Sequence, residues 1–163
     1  MFKKGLICAS LAGSVFVLPT ASADDTLARF KGGIGDIPLA TSTVRGVPPA
    51  GQIWVIDKLE AKVSTNGRIS VEGKGLVLGA GNNVGRATGQ SVFATLTCVA
   101  ANDAEQYSST LTGVPLSVTG DFKIHDTLQP APPFPCASPA LLIRNAANGG
   151  WFAAGILRLR DDD

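Results

Sequence analysis

The sequence is poor in the side chains from which most catalytic and metal sites are built. Histidine, tyrosine and methionine each occur once in 163 residues, and cysteine occurs three times. One histidine and so few thiols leave no zinc-binding set of the usual kind. An excess of one charge is also lacking, since 14 Lys and Arg oppose 13 Asp and Glu. This balance offers no attraction to nucleic acid or anionic lipid, so the sequence predicts neither partner.

The longest apolar stretch lies near the N-terminus and is too short to cross a bilayer. It runs from Gly5 to Leu18, after Lys3 and Lys4 and before the small residues Ala21-Ser22-Ala23. A membrane-spanning helix needs roughly 20 apolar residues, whereas this order of features is typical of a cleaved export signal. We therefore predict a secretory signal peptide over residues 1–23 and a single secreted or periplasmic domain over 24–163, with no transmembrane segment in the mature chain.

Two cysteines remain after this cleavage. Removal of Cys8 leaves Cys98 and Cys136 in a chain bound for an oxidising compartment, which predicts a disulfide between them. The bond would close a loop of about 38 residues and stabilise the fold by roughly 4 kcal/mol on the chain-entropy model.

Alternating apolar and polar residues indicate β-strands. From Gln52 to Ser64 the alternation predicts one half-buried strand, with Ile53 and Val55 facing the core and Trp54 facing outward. Thr65-Asn66-Gly67 then predicts a hairpin turn, because Asn-Gly between alternating runs is a strong hairpin signal.

Further strands are predicted along the rest of the chain, over residues 27–30, 90–100, 111–118 and 120–126. Residues 138–150 fit either a short helix, starting at Ser138-Pro139, or the turn and first strand of a hairpin, which we favour. The expected fold is all-β, an antiparallel sandwich or partly closed barrel of about six to eight strands with one disulfide.

No catalytic, metal or cofactor site is predicted. The glycine-rich loop Gly79–Gly85 leads into a β-rich run, whereas a dinucleotide-binding loop must begin a helix. The single histidine, His125, shares a strand face with Asp121 and Lys123, where a solvated polar face is the ordinary expectation. Calcium loops and nucleophile elbows are likewise missing from the sequence.

Four residues are predicted to bind a ligand. Trp54 and Trp151 are aromatic and expected at the surface, and aromatic rings supply much binding area at little entropic cost. Asn82 and Asn83 lie in the glycine-rich loop, where the backbone can approach a ligand closely.

Three segments carry a resemblance to other proteins, namely Arg45–Ile56, Leu141–Asn145 and Trp151–Ile156. They resemble a family of small, exported, β-rich bacterial proteins with no established function. The resemblance implies an exported single domain and implies no activity or catalytic residue.

These observations favour a secreted, non-enzymatic module that binds a surface, a glycan or a protein partner. One alternative is a secreted hydrolase, whose signature would be a pocket of acidic residues or His125 within hydrogen-bond reach of a serine. The other is a structural subunit of the cell envelope, which would show an unpaired hydrophobic edge strand.

Overall fold

The computed structural model describes residues 25–159, and the predicted signal peptide lies outside the described residues. The described chain consists of strands and turns, without a helix. The strands are β1 (Thr26–Gly35), β2 (Trp54–Val55), β3 (Lys58–Ser64), β4 (Arg68–Lys74), β5 (Val77–Leu78), β6 (Ser91–Thr97), β7 (Tyr107–Ser108), β8 (Val114–Pro115), β9 (Phe122–Thr127), β10 (Ala140–Asn145) and β11 (Trp151–Arg158).

Nine of these strands form one antiparallel sheet that curls into a nearly closed barrel. Its order is β7-β6-β10-β11-β1-β3-β4-β9, with β8 also paired to β6, and β2 and β5 form a separate ribbon. The two ends of this path meet where Ser108 of β7 and Gln129, two residues after β9, exchange backbone hydrogen bonds of 3.0 and 2.8 Å. The all-β prediction is confirmed. Of the two predicted architectures, a sandwich and a partly closed barrel, the barrel describes this sheet better.

The core fills the barrel because successive side chains of a strand point to opposite faces. On β3, for example, Leu59, Ala61 and Val63 are buried, whereas Lys58 and Lys62 are exposed. The largest fully buried side chains of this core are Phe152, Leu59, Leu76, Leu96, Leu128, Leu141 and Ile143. Burial of each stabilises the fold by roughly 1.5–3 kcal/mol.

Both predicted hairpins are confirmed. The turn between β3 and β4 contains Gly67 at φ +83°, and its amide donates to the Ser64 carbonyl at 2.9 Å. A positive φ suits glycine, which has no Cβ to clash with the backbone. The strands β10 and β11 are antiparallel neighbours, so the helical alternative for residues 138–150 is wrong.

The predicted continuous strand from Gln52 is wrong in its first half. β2 covers two residues and pairs with β5, not with the sheet that contains β3. The alternation changes phase before β3, where the Asp57 amide donates to the Lys74 carbonyl at 3.0 Å. As a result, Trp54 is buried and Ile53 and Val55 are exposed, the reverse of the predicted orientation.

A strap of chain, residues 36–53, covers the outside of β10 and β11. Val47 packs there with Leu142 and Trp151 in a second, smaller apolar cluster. The guanidinium group of Arg45 donates to the Thr97 hydroxyl at 3.0 Å, which ties the strap to β6. The strap is therefore packed against the barrel wall.

The disulfide between Cys98 and Cys136 is present, which confirms the predicted pairing. Cys98 directly follows β6, and Cys136 lies in the proline-rich connection before β10. The bond fastens this connection beside the β6–β10 pair, where the Ser138 amide also donates to the Cys98 carbonyl at 2.9 Å.

Candidate functional site

The two tryptophans predicted to be exposed are buried, so that prediction is wrong. Trp54 is 4% exposed, and its ring centroid lies 4.0 Å from that of Phe152 inside the barrel. Trp151 is 6% exposed under the strap, and its indole nitrogen donates to the Ser42 carbonyl at 2.9 Å. Neither ring can stack on a ligand in this arrangement.

Asn82 and Asn83 lie on the exposed loop between β5 and β6, as expected. The loop contains a tight turn in which the Arg86 amide donates to the Asn83 carbonyl at 3.1 Å. Because the tryptophan rings face inward, the four predicted residues do not form a common binding surface. A ligand-binding role for the two asparagines stays a prediction.

His125 contacts a serine, which is one of the two signatures named for a hydrolase. Its Nδ1 lies 3.1 Å from the Ser70 hydroxyl oxygen, and the two residues are cross-strand partners on β4 and β9. The carboxylate of neighbouring Asp126 instead accepts hydrogen bonds from the backbone amides of Thr110 and Thr127, each at 2.7 Å. Within residues 25–159, no acid is hydrogen-bonded to the other ring nitrogen of His125, so the pair lacks the orienting group of a catalytic triad.

The outer face of β11, β1, β3, β4 and β9 is strongly basic. Every second residue of these strands points outward, and cationic side chains occupy about half of those positions. We define the basic face by its exposed cationic side chains, which are Arg29, Lys31, Lys58, Lys62, Arg68, Lys74, Lys123 and Arg158. Two acids, Glu60 and Glu72, share the face, and Asp121 lies at its border, where it accepts a hydrogen bond from the Gly75 amide at 3.1 Å.

One line of side chains crosses the basic face at right angles to the strands. Arg158, Arg29, Lys62, Ser70 and His125 are successive cross-strand partners on β11, β1, β3, β4 and β9, and we call them the basic row. The spacing of hydrogen-bonded strands places neighbouring members about 5 Å apart. Three cations therefore stand side by side, although like charges directly opposite each other destabilise a sheet.

The acids of the basic face neutralise other cations. Glu60 lies 3.4 Å from the Lys58 ammonium group, and Glu72 lies 3.8 Å from Lys74 and 3.9 Å from Lys123. Four side chains of the face form neither an ion pair nor a hydrogen bond with any residue of the described chain, namely Arg29, Lys31, Lys62 and Arg158. These four line an open depression of about 970 Å³ over β1, β3, β4 and β11, and Glu60 and Glu72 line the same depression. The charge of the four cations is available to an anionic ligand.

Sequence reasoning missed the basic face because it used the net charge of the whole chain. The signal was nevertheless present, since polar or charged residues occupy every second position of β3 and β4, and about half of them are cations. Cations also lie next to the buried residues of β1. What the sequence lacked was the strand order that puts these positions on one surface. The expectation of no attraction to nucleic acid or anionic lipid was drawn from the net charge of the whole chain, whereas the structure places many of the cations on one face.

Asp36 is the second unusual feature. It follows β1, is 0% exposed, and neither carboxylate oxygen has a hydrogen-bond partner. Burial raises the pKa of Asp36 from 3.8 to about 6, and the nearby backbone amide of Ala50 offsets part of the rise. That amide donates its own hydrogen bond to the Trp151 carbonyl at 3.0 Å, so it does not satisfy the carboxylate.

The described residues contain no cluster of three or more His, Cys, Asp or Glu side chains placed to hold a metal ion. A search of the same residues for a helix long and apolar enough to cross a bilayer found none.

Comparisons with known proteins returned no match: no family model, no curated protein and no solved structure is similar to this chain. The resemblance to small exported bacterial proteins gains no support from them. Function must therefore be argued from the barrel and its surface.

Proposed function

We propose that the protein is an exported, non-enzymatic binding protein that holds an anionic ligand on the basic face. The observation that carries this proposal is the concentration of eight cationic side chains on one surface, four of them without a partner among residues 25–159. Side-by-side cations lower the stability of a sheet, and a bound anion offsets that repulsion. Export is supported by the disulfide, because such bonds persist in oxidising compartments.

The first test is retention of the protein on an immobilised polyanion. The full chain, produced through an export pathway so that the disulfide forms, is passed over dextran sulfate and over neutral dextran at low salt. We expect retention on dextran sulfate alone and elution as the salt concentration rises, because salt screens exposed charges. Passage through both columns without delay would refute the proposal.

A matched pair of variants tests where the anion binds. Arg29→Gln removes one charge from the basic face, and Arg86→Gln removes one charge from the exposed loop between β5 and β6. Both changes alter the net charge equally, so a non-specific charge effect would weaken retention equally. We expect only Arg29→Gln to elute at clearly lower salt.

The contact between Ser70 and His125 favours a second candidate, a hydrolase that uses this pair. Its test is turnover of a panel of ester and glycoside substrates by the wild type and by Ser70→Ala. Turnover that depends on Ser70 would replace the binding proposal with an enzymatic one.

A structural envelope subunit is the weaker alternative. The end strands β7 and β9 are bridged through Ser108 and Gln129, and the exposed side chains of β9 include Lys123 and His125. The barrel thus lacks, within residues 25–159, the long hydrophobic edge on which strand-to-strand assembly would depend.

A further inference from the structure

We infer that the ligand is an acidic polysaccharide whose chain lies along the basic row, across the strands. This inference rests on the proposed function and names the chemical class of the ligand at that site. It follows from the length of the basic row, from the groups beside it and from the side chains that the face lacks.

The basic row is long enough for several repeating units of a polymer. It crosses four gaps between neighbouring strands, which corresponds to about 19 Å at the usual strand spacing. Arg158, Arg29 and Lys62 supply three adjacent cations without partners in the described chain. A single small anion would use one or two of these cations, whereas an extended chain with repeating carboxylate or sulfate groups would use all three.

The other half of the basic row provides hydrogen-bonding groups. Ser70 and His125 continue the line after Lys62, and both side chains are exposed. A hydroxyl and an imidazole can bind the hydroxyl groups that a sugar presents between its charged groups. The row thus combines charge recognition and hydroxyl recognition in one line.

The neighbouring row argues for a narrow ligand. Two residues along the strands, about 7 Å away, the cross-strand partners are Lys31, Glu60, Glu72 and Lys123. Both acids lie in the centre of that row, so a broad anionic surface such as a membrane would be placed over two carboxylates. A single chain on the basic row avoids them.

The strands of the basic face, within the described residues, expose no aromatic ring, which argues against single-stranded nucleic acid as the ligand. Proteins that bind such strands usually stack the bases on exposed aromatic rings. The aromatic residues on the strands of the basic face, Phe30, Phe122, Trp151 and Phe152, are all buried. The outward side chains of this face, within the described residues, offer charge and hydrogen bonds instead.

The test measures binding of di-, tetra- and octagalacturonate to the full, disulfide-bonded protein by titration calorimetry, at fixed low salt. Parallel titrations use single-stranded DNA and vesicles of phosphatidylglycerol. We expect affinity to rise from the dimer to the tetramer and to level off once the oligomer spans the five strands. We also expect DNA and vesicles to bind at least tenfold more weakly than the octamer.

Two variants separate the basic row from the rest of the basic face. Arg29→Gln removes the central cation of the row, whereas Lys74→Gln removes a cation of the same face that lies near Glu72 in another row. We expect Arg29→Gln to weaken octagalacturonate binding about tenfold, the effect of one lost charged hydrogen bond, and Lys74→Gln to weaken it less than threefold. The thermal midpoint of Arg29→Gln should be unchanged or higher, because a like-charge pair is removed.

Each outcome separates the two proposals. If no anionic probe binds, both are wrong. If DNA or vesicles bind as tightly as the octamer, or if both variants weaken binding equally, the protein still binds anions on this face and the assignment of a polysaccharide to the basic row is wrong.

Discussion

Replacing Asp36 with asparagine removes the only acid that the structure buries completely without a hydrogen bond, among residues 25–159. The side chain lies where β1 leaves the barrel, and the backbone of Asp36 holds two elements together. Its amide donates to the Phe152 carbonyl and its carbonyl accepts from the Trp54 amide, both at 2.9 Å. An asparagine side chain has nearly the same shape and leaves these backbone bonds in place, so the substitution changes ionisation more than packing.

The magnitude follows from the pKa of Asp36, which burial raises from 3.8 to about 6. Between these values the folded protein holds a proton that the unfolded chain has released. Stability therefore falls as the pH rises through this window, and the full stability is retained only below the lower value. A difference of about two pKa units corresponds to about 3 kcal/mol lost by the wild type above the window.

The assay is urea unfolding of the wild type and of Asp36→Asn at several pH values from about 4 to about 8. We expect similar free energies of unfolding at the acid end and a variant that is more stable by up to about 3 kcal/mol at the alkaline end. Asp103→Asn, at an exposed loop position, serves as the control and should leave the curve unchanged. A difference between Asp36→Asn and wild type that does not grow with pH would refute the reasoning.

Three further predictions concern stability. Reduction of the Cys98–Cys136 disulfide should lower the free energy of unfolding by roughly 4 kcal/mol, and an unchanged urea midpoint in reductant would contradict this. Gly120→Ala should destabilise strongly, by about 2 kcal/mol or more in the same assay, because Gly120 has φ +82° and a Cβ there would overlap the backbone before β5. Asp126→Asn should destabilise the fold at neutral pH and not in acid. The hydrogen bond from the Thr110 amide lowers the pKa of Asp126, so the stability that the ionised carboxylate contributes is lost as the pH falls through that pKa. Equal losses of unfolding free energy at both pH values would count against this prediction.

Local sequence signals predicted the long strands well. The alternation around Leu59 and Val63, the turn at Gly67, and the strand that contains Phe122 and Ile124 all appear where the sequence placed them. Such signals work because a strand with one buried face must repeat every two residues. The two cysteines were paired correctly for a different reason, since only two remain after the predicted cleavage.

The short strands and the aromatic residues were predicted poorly. β2 is two residues long, and its orientation is set by pairing with β5 and by the contact between Trp54 and Phe152. Trp151 was predicted to lie at the surface, yet the strap covers its ring with Val47. In both cases a distant segment decided burial, and no local pattern contains that information.

The sequence alone determined that the chain would form an antiparallel β-structure with a disulfide. Alternation of apolar and polar residues can be recognised within short segments, and the cysteine pairing follows from the number of cysteines. Only the tertiary structure decided that the sheet closes through Ser108 and Gln129, that both tryptophan rings are buried, and that Arg158, Arg29 and Lys62 become neighbours. Strand order joins residues that are far apart in the chain, and the charge on a surface depends on that order. A chain with almost equal numbers of cations and anions therefore carries a strongly basic face.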